Sequence, residues 1–302
     1  MTYQTFKEHI LTYMKEHFQN ACQIFIQPVL KNNGQVLDGL IILPQQLNIA
    51  PTLYLNFYYE QLKNGHTLEQ ICTEICRHYE INCPHTSIDI AFFTDFKKVR
   101  SHIAYKLINH EKNSALLKDV PHIRFLDLAI VFYCLIPSIQ TQYASILIHN
   151  QHLDFWNVSA KELFDLASEN TPKLQGYSFE NITRLLHHLT FGSDEEPDET
   201  SVKQSSYPLF VLSSKNHLYG ASCILYQDLL YTLAQKADMD FYILPSSIHE
   251  VILIPTQDDR SFKELSAMVK EINQSEVSPE DVLSNHAYYY SKEKNEITFQ
   301  NI

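Results

Sequence analysis

The longest uncharged apolar run in the chain is Leu128 to Ile136, and Pro137 stops it. A membrane-crossing helix needs about 20 such residues, so this stretch reads as a buried strand or a core helix. A chain whose apolar residues come in pieces this short must bury them by packing many short elements together. Its 302 residues suffice for two ordinary domains or one large one. With 45% apolar residues, the hydrophobic gain is ample to offset ordering entropy. A chain of this size buries roughly three quarters of its unfolded surface and needs no disulfide or structural metal.

Periodicity divides the chain into elements. Thr2 caps a first helix whose apolar residues Phe6, Ile10, Met14 and Phe18 recur at intervals of four. Extended runs at Cys22–Leu30 and Val36–Leu43 flank Lys31-Asn32-Asn33-Gly34, where Asn-Gly signals a hairpin because both residues tolerate positive φ. A short strand near Thr52–Leu55 and helices near Tyr58–Lys63 and Leu68–Tyr79 follow, with Gly65 closing the first of them. In the middle, Ile88–Arg100 reads as a helix, and Ile103–Ile108 and Leu128–Leu135 as strands. Tyr143–Asn150 and His152–Val158 suggest a hairpin. Ser159 caps a helix through Ala167, with Glu162 completing a capping box. Phe179–Leu189 reads as another helix.

Asp194-Glu195-Glu196-Pro197-Asp198-Glu199 is the sharpest break in composition, and its mutually repelling carboxylates predict a linker over 192–204. Beyond it come strand Leu209–Ser213, helix Ala221–Gln235, strands Phe241–Leu244 and Glu250–Ile254, helix Phe262–Ile272, and a hairpin of Ala287–Ser291 with Glu296–Gln300. This β-α-β-β-α-β-β order predicts an α+β fold: mainly antiparallel sheets with helices on one face, in two sub-domains, 1–191 and 205–302.

The charge balance narrows the partners. A net charge of −12 repels polyanions and anionic lipid surfaces, and the basic cluster Lys97-Lys98-Val99-Arg100 is too short to reverse that. No nucleic-acid or membrane partner is expected. The N-terminus lacks the apolar core of a signal peptide, which points to the cytoplasm. There the six cysteines, at 22, 72, 76, 83, 134 and 223, read as free thiols. Only six glycines occur, and none form the cluster that brings a backbone close to a pyrophosphate. No cofactor is expected.

Three constellations carry candidate chemistry. In Pro245-Ser246-Ser247-Ile248-His249-Glu250, two strands meet at a turn rich in hydroxyls. A nucleophilic site would use Ser246 or Ser247, with His249 as base and Glu250 orienting it. Adjacent residues of an extended segment face opposite ways, which opposes that pairing. Cys72, Cys76 and His78 lie within one predicted helix, where the cysteines share a face and could present two thiolates to a metal; a core role suits them better. His187-His188 point about 100° apart on a helix and cannot jointly chelate one ion. Finally, His286 precedes Tyr288-Tyr289-Tyr290, a strand able to offer aromatic rings to a partner, while Ser278-Pro279 reads as the start of a helix.

Pro245-Ser246-Ser247-Ile248-His249-Glu250-Val251-Ile252 and Pro279-Glu280-Asp281-Val282-Leu283-Ser284-Asn285-His286 resemble a family of uncharacterised proteins of gut Clostridia and related Firmicutes. Asn33-Gly34 through Leu37-Asp38-Gly39-Leu40, then Tyr54-Leu55-Asn56 and Tyr58-Tyr59-Glu60, fit the same pattern, so the resemblance spans nearly the whole chain. It implies a bacterial, cytoplasmic setting and assigns no catalytic or binding residue. The functional expectation is a non-enzymatic binding or adaptor protein that recognises a protein or peptide through the sheet or the tyrosines of the C-terminal half. The alternative is a hydrolase-like enzyme centred on the Pro245–Glu250 turn.

Overall fold

A computed structural model describes residues 1–84, 86–87, 90–136, 144–182, 209–256 and 261–299. The chain is α+β and forms two compact units, Met1–Thr94 with Ile136–Ala144, and Asp95–Leu135 with Ser145–Ile302. This division differs from the one expected at 192–204. Phe179 and Leu212 lie on either side of that acidic segment and are partners in one ladder. The segment itself, like His187-His188, lies outside the described residues.

In the first unit, α1 (Tyr3–Phe18) begins where the Thr2 hydroxyl accepts the Thr5 N–H at 3.2 Å. Strands β1 (Cys22–Leu30) and β2 (Val36–Pro44) form the expected hairpin, and Asn33 and Gly34 take positive φ at its tip. Strand β3 (Thr52–Tyr54) joins the far side of β2. Helices α2 (Leu55–Lys63) and α3 (Leu68–Asn82) follow, the latter started by a Thr67–Gln70 capping box. Phe6, Ile10 and Met14 of α1 join Leu40 and Ile42 of β2 and Ile71 and Ile75 of α3 in one buried cluster.

Between Ile90 and His102 the expected long helix is broken into α4 (Ile90–Thr94), α5 (Phe96–Val99) and a 3-10 turn. The break falls at Asp95, whose carboxylate accepts the Lys97 N–H and so starts a new helix.

The second unit holds two sheets. In one, β6 (Leu128–Ile136) is buried along its whole length. Strand β4 (Ile103–Asn109) pairs with one side of it, and β5 (His122–Phe125) and β7 (Ala144–Leu147) also pair with it. The hairpin expected over 143–158 is instead β7 followed by α6 (Asn150–Trp156). His152 Nδ1 accepts the His149 N–H and turns the chain into a helix that buries Trp156. Helix α7 (Ala160–Gln175) carries the expected Ser159–Glu162 box.

The other sheet is ordered β13-β12-β10-β11-β9-β8. Its strands are β8 (Ser178–Asn181), β9 (Phe210–Ser213), β10 (Phe241–Leu244), β11 (Glu250–Pro255), β12 (Tyr288–Ser291) and β13 (Glu296–Thr298). Residues 179–181 were expected to begin a helix, yet the ladder to β9 prevails, with Phe179 stacked 4.7 Å from Phe210. The helix expected over 221–235 splits into a 3-10 segment, Gly220–Leu225, and α8 (Leu229–Ala237), separated at Asp228 by its positive φ. Helix α9 (Phe262–Ser275) packs its buried Leu265 and Val269 with Leu244 and Ile254 of the sheet.

Gly220 sits where neighbouring groups crowd the backbone. A Cβ there would strike the Ser213 hydroxyl, the Ser214 amide and the His249 carbonyl, closer than real side chains approach. Two of these atoms are backbone and have nowhere to go. Gly220→Ala should therefore cost about 3 kcal/mol or more. Gly65→Ala meets no neighbour within 4 Å but keeps a φ of +97°, and should cost only about 1 kcal/mol. Urea unfolding of the two variants checks the contrast, and equal midpoints would refute it.

Candidate functional site

The turn joining β10 to β11 gathers the serine and histidine candidates, but not as a nucleophile and its base. The Ser247 hydroxyl accepts the backbone N–H of His249 at 3.0 Å. His249 Nε2 lies 3.4 Å from Asp281 Oδ1, a residue far along the chain, and not beside Glu250. Its Nδ1 faces the His217 carbonyl at 3.2 Å and the Tyr219 N–H at 3.4 Å, and its ring stacks on Tyr219. Glu250 is exposed and sits opposite Ser213 in the ladder. Ser246 is buried, and its carbonyl accepts the Leu283 N–H at 3.0 Å. Both ring nitrogens of His249 thus face groups that fix the imidazole in place.

The same turn is sewn to the segment 281–284. Ile248 N–H reaches Asp281 O, Ser284 N–H reaches Pro245 O, and Ser247 bridges to Val282. This seam explains why Ser278-Pro279 starts no helix: the chain makes one turn, then leaves it to pair with 245–248. Past the seam, Ser284 Oγ donates to Asp127 Oδ2 at 2.7 Å and Tyr288 OH donates to Asp127 Oδ1 at 2.5 Å. The Asn109 amide donates to Leu283 O, and the Asn273 amide to Ser284 O.

The tyrosine run is no aromatic contact face. Tyr288 and Tyr290 alternate inward and are 0% and 2% exposed. Tyr290 OH donates to Asn295, and Tyr289, half-buried, donates to Asp240. Burial, and then the Asp127 charge, hold the Tyr288 hydroxyl far above its ordinary pKa. His286 is half-buried, with its N–H bonded to Ser284 Oγ. The period-two geometry of a strand places two of three consecutive rings on the core side. Tyr288→Phe should cost about 1–2 kcal/mol in urea unfolding, with Asp127→Ala costing more because it strands two buried hydroxyls; the reverse order would contradict this assignment.

Cys72 and Cys76 lie in the first unit's core, and the Cys76 thiol points at Met14 Sδ, 3.8 Å away. Burial, with the neighbouring Cys76, pushes the Cys72 thiol up to about 11. His78 does not join them: its Nδ1 is 2.7 Å from the Tyr58 hydroxyl. Among the described residues no group of three His, Cys, Asp or Glu side chains is placed to hold a metal ion. Cys134 and Cys223 are likewise pushed up to about 12 by burial. In the native protein at neutral pH a thiol reagent should modify the half-buried Cys22 and Cys83 well before Cys72, Cys134 or Cys223. Peptide mapping reads the order, and early labelling of Cys72 would contradict its placement.

One feature that sequence reasoning missed lies at β1. The bonds Gln45 N–H to Ala21 O (3.2 Å) and Lys31 N–H to Gln35 O (2.7 Å) show that residues 21 and 31 direct their backbone toward β2. The ladder between them is unbroken, and inward-pointing residues alternate in an antiparallel pair. Gln23, Phe25, Gln27 and Val29 therefore point their N–H and C=O groups at β2. Cys22, Ile24, Ile26, Pro28 and Leu30 point theirs outward. Pro28 lacks an N–H, and an outward position is where that loss breaks no ladder bond.

Strand β1 is the edge of its sheet and carries no charged residue over nine positions. The side chains of Ile24 and Ile26 pack down on the core, whereas Phe25 is 39% and Leu30 57% exposed. Other edges are short: three residues in β3 and β13, four in β5 and β8. The longer β4 is covered by α7, where Thr171 Oγ1 accepts the Tyr105 N–H and the Asn170 amide donates to Ile103 O. Proteins normally blunt long edges with charge, shortness or a covering element. Apart from Pro28, β1 has none of these among the described residues.

These features define an α+β protein with a seam-locked second unit and an open strand edge on its first. The chain belongs to DUF5688, a family of unknown function, which matches residues 3–292. No curated protein and no solved structure matches it.

Proposed function

We propose that this chain is a binding protein that takes up an extended segment of a partner polypeptide as an additional strand beside β1. The observation that carries the reading is the row of outward N–H and C=O groups on Ile24 and Ile26, within a nine-residue edge free of charge. Only another extended backbone offers donors and acceptors at the matching two-residue spacing. Phe25 and Leu30 offer the apolar contacts by which such a segment is selected. A protein or peptide partner also suits the net charge of −12, which repels nucleic acid and anionic lipid. No helix among the described residues is long and apolar enough to cross a membrane. The setting proposed with this role is a bacterial cytoplasm, with no cofactor required.

Selection from a displayed library of random peptides on the immobilised full-length chain tests the proposal. Extended, apolar-alternating peptides should be enriched. Phe25→Lys, which places a charge beside the edge, should weaken their binding at least about tenfold, equivalent to about 1.4 kcal/mol. Pro28→Val restores an outward donor and should strengthen it. Phe25 is solvent-exposed and Pro28 lies on the open edge, so both variants should keep the parent urea transition. Failure to enrich any peptide, or peptides indifferent to both substitutions, would overturn the reading.

A further inference from the structure

We propose that Cys22 and Cys83 form a reversible thiol–disulfide pair, a modification site independent of whether a peptide adds to β1. The two thiols are 61 positions apart in sequence, yet both converge on one oxygen, the hydroxyl of Tyr79. Cys83 Sγ donates to it at 3.3 Å, and Cys22 Sγ lies 3.9 Å from it. Both cysteines are half-buried, whereas Cys72, Cys76, Cys134 and Cys223 are buried. Each sits at the boundary of an element. Cys22 is the first residue of β1, and Cys83 follows the last residue of α3 and precedes Pro84. Bond formation brings the sulfurs to about 2.05 Å, so the two thiols must give up their shared approach to the Tyr79 hydroxyl as they close.

The oxidant is a small disulfide of the glutathione class. The thiolate of one cysteine attacks a sulfur of that disulfide, forming a mixed disulfide and releasing one small thiolate. The second cysteine, as its thiolate, then attacks the cysteine sulfur of the mixed disulfide and displaces the other small thiolate. Two cysteines are oxidised, one small disulfide is reduced, and the protons of the two cysteine thiols end on the two released small thiols. The product joins the start of the edge strand to the end of α3 and closes a loop of about 60 residues, which restrains the unfolded chain.

The test equilibrates the folded full-length chain in glutathione buffers of graded oxidised fraction, followed by acid quench, alkylation, digestion and mass spectrometry. A Cys22–Cys83 cross-linked peptide should appear as the oxidised fraction rises and disappear on adding a dithiol, while the other four cysteines stay alkylatable after denaturation. Cys22→Ser should leave Cys83 trapped as a mixed disulfide with glutathione. The wild-type cross-link map decides the matter even if that variant folds poorly. Separate glutathione adducts on Cys22 and Cys83 with no cross-link would overturn the proposal. So would a cross-link no more abundant in the folded chain than in urea.

Discussion

Each backbone N–H and C=O of a folded chain must find a partner or stay in water, and this requirement organises the molecule. In the second unit, side chains meet it where ladders stop. Thr171 and Asn170 serve the outer edge of β4, Asn109 and Asn273 serve the carbonyls of Leu283 and Ser284, and Ser266 accepts the Ala287 N–H. The donors and acceptors come from helices and strands distant in sequence, so the unit is held by polar stitching as well as by its apolar core. Among the described residues, no group does the same for the outward N–H and C=O of Ile24 and Ile26 in β1.

The seam between 245–248 and 281–284 shows how this shapes local chemistry. His249 is drawn to Asp281 because the seam brings the two segments side by side, while the strand geometry turns Glu250 away. Asp127, reached by Ser284 and Tyr288 together, collects two hydroxyl donors on one carboxylate. His249, Ser284 and Tyr288 thereby tie these segments together. The two stretches that carry the family resemblance in this half prove to be the two sides of that seam.

Much of the architecture was legible because it follows from local rules. The caps at Thr2 and Ser159, the Asn33-Gly34 turn and the buried run of β6 need only near neighbours. What was not legible depends on contacts made across the chain. The strand at 178–181 exists because β9 pairs with it, with Leu212 opposite Phe179 and the Phe210 ring stacked on that of Phe179, and the turn at Ser278 gives way to a partner more than 30 positions earlier. Tyr288 and Tyr290 could be counted as one face, but only their burial, with Tyr288 reaching Asp127, shows that the face is internal. The hairpin of β1 and β2 was readable; that β3 joins β2 and leaves β1 at the edge was not, since either strand of a hairpin can accept a third.

Amide hydrogen exchange in the isolated protein, resolved residue by residue along β1, tests the open edge most directly. Phe25, Gln27 and Val29 should be protected, while Ile24, Ile26 and Leu30 exchange fast, a two-residue alternation that no fraying end produces. Equal protection at the outward amides would mean that the edge is already paired, and the strand-addition account would not stand.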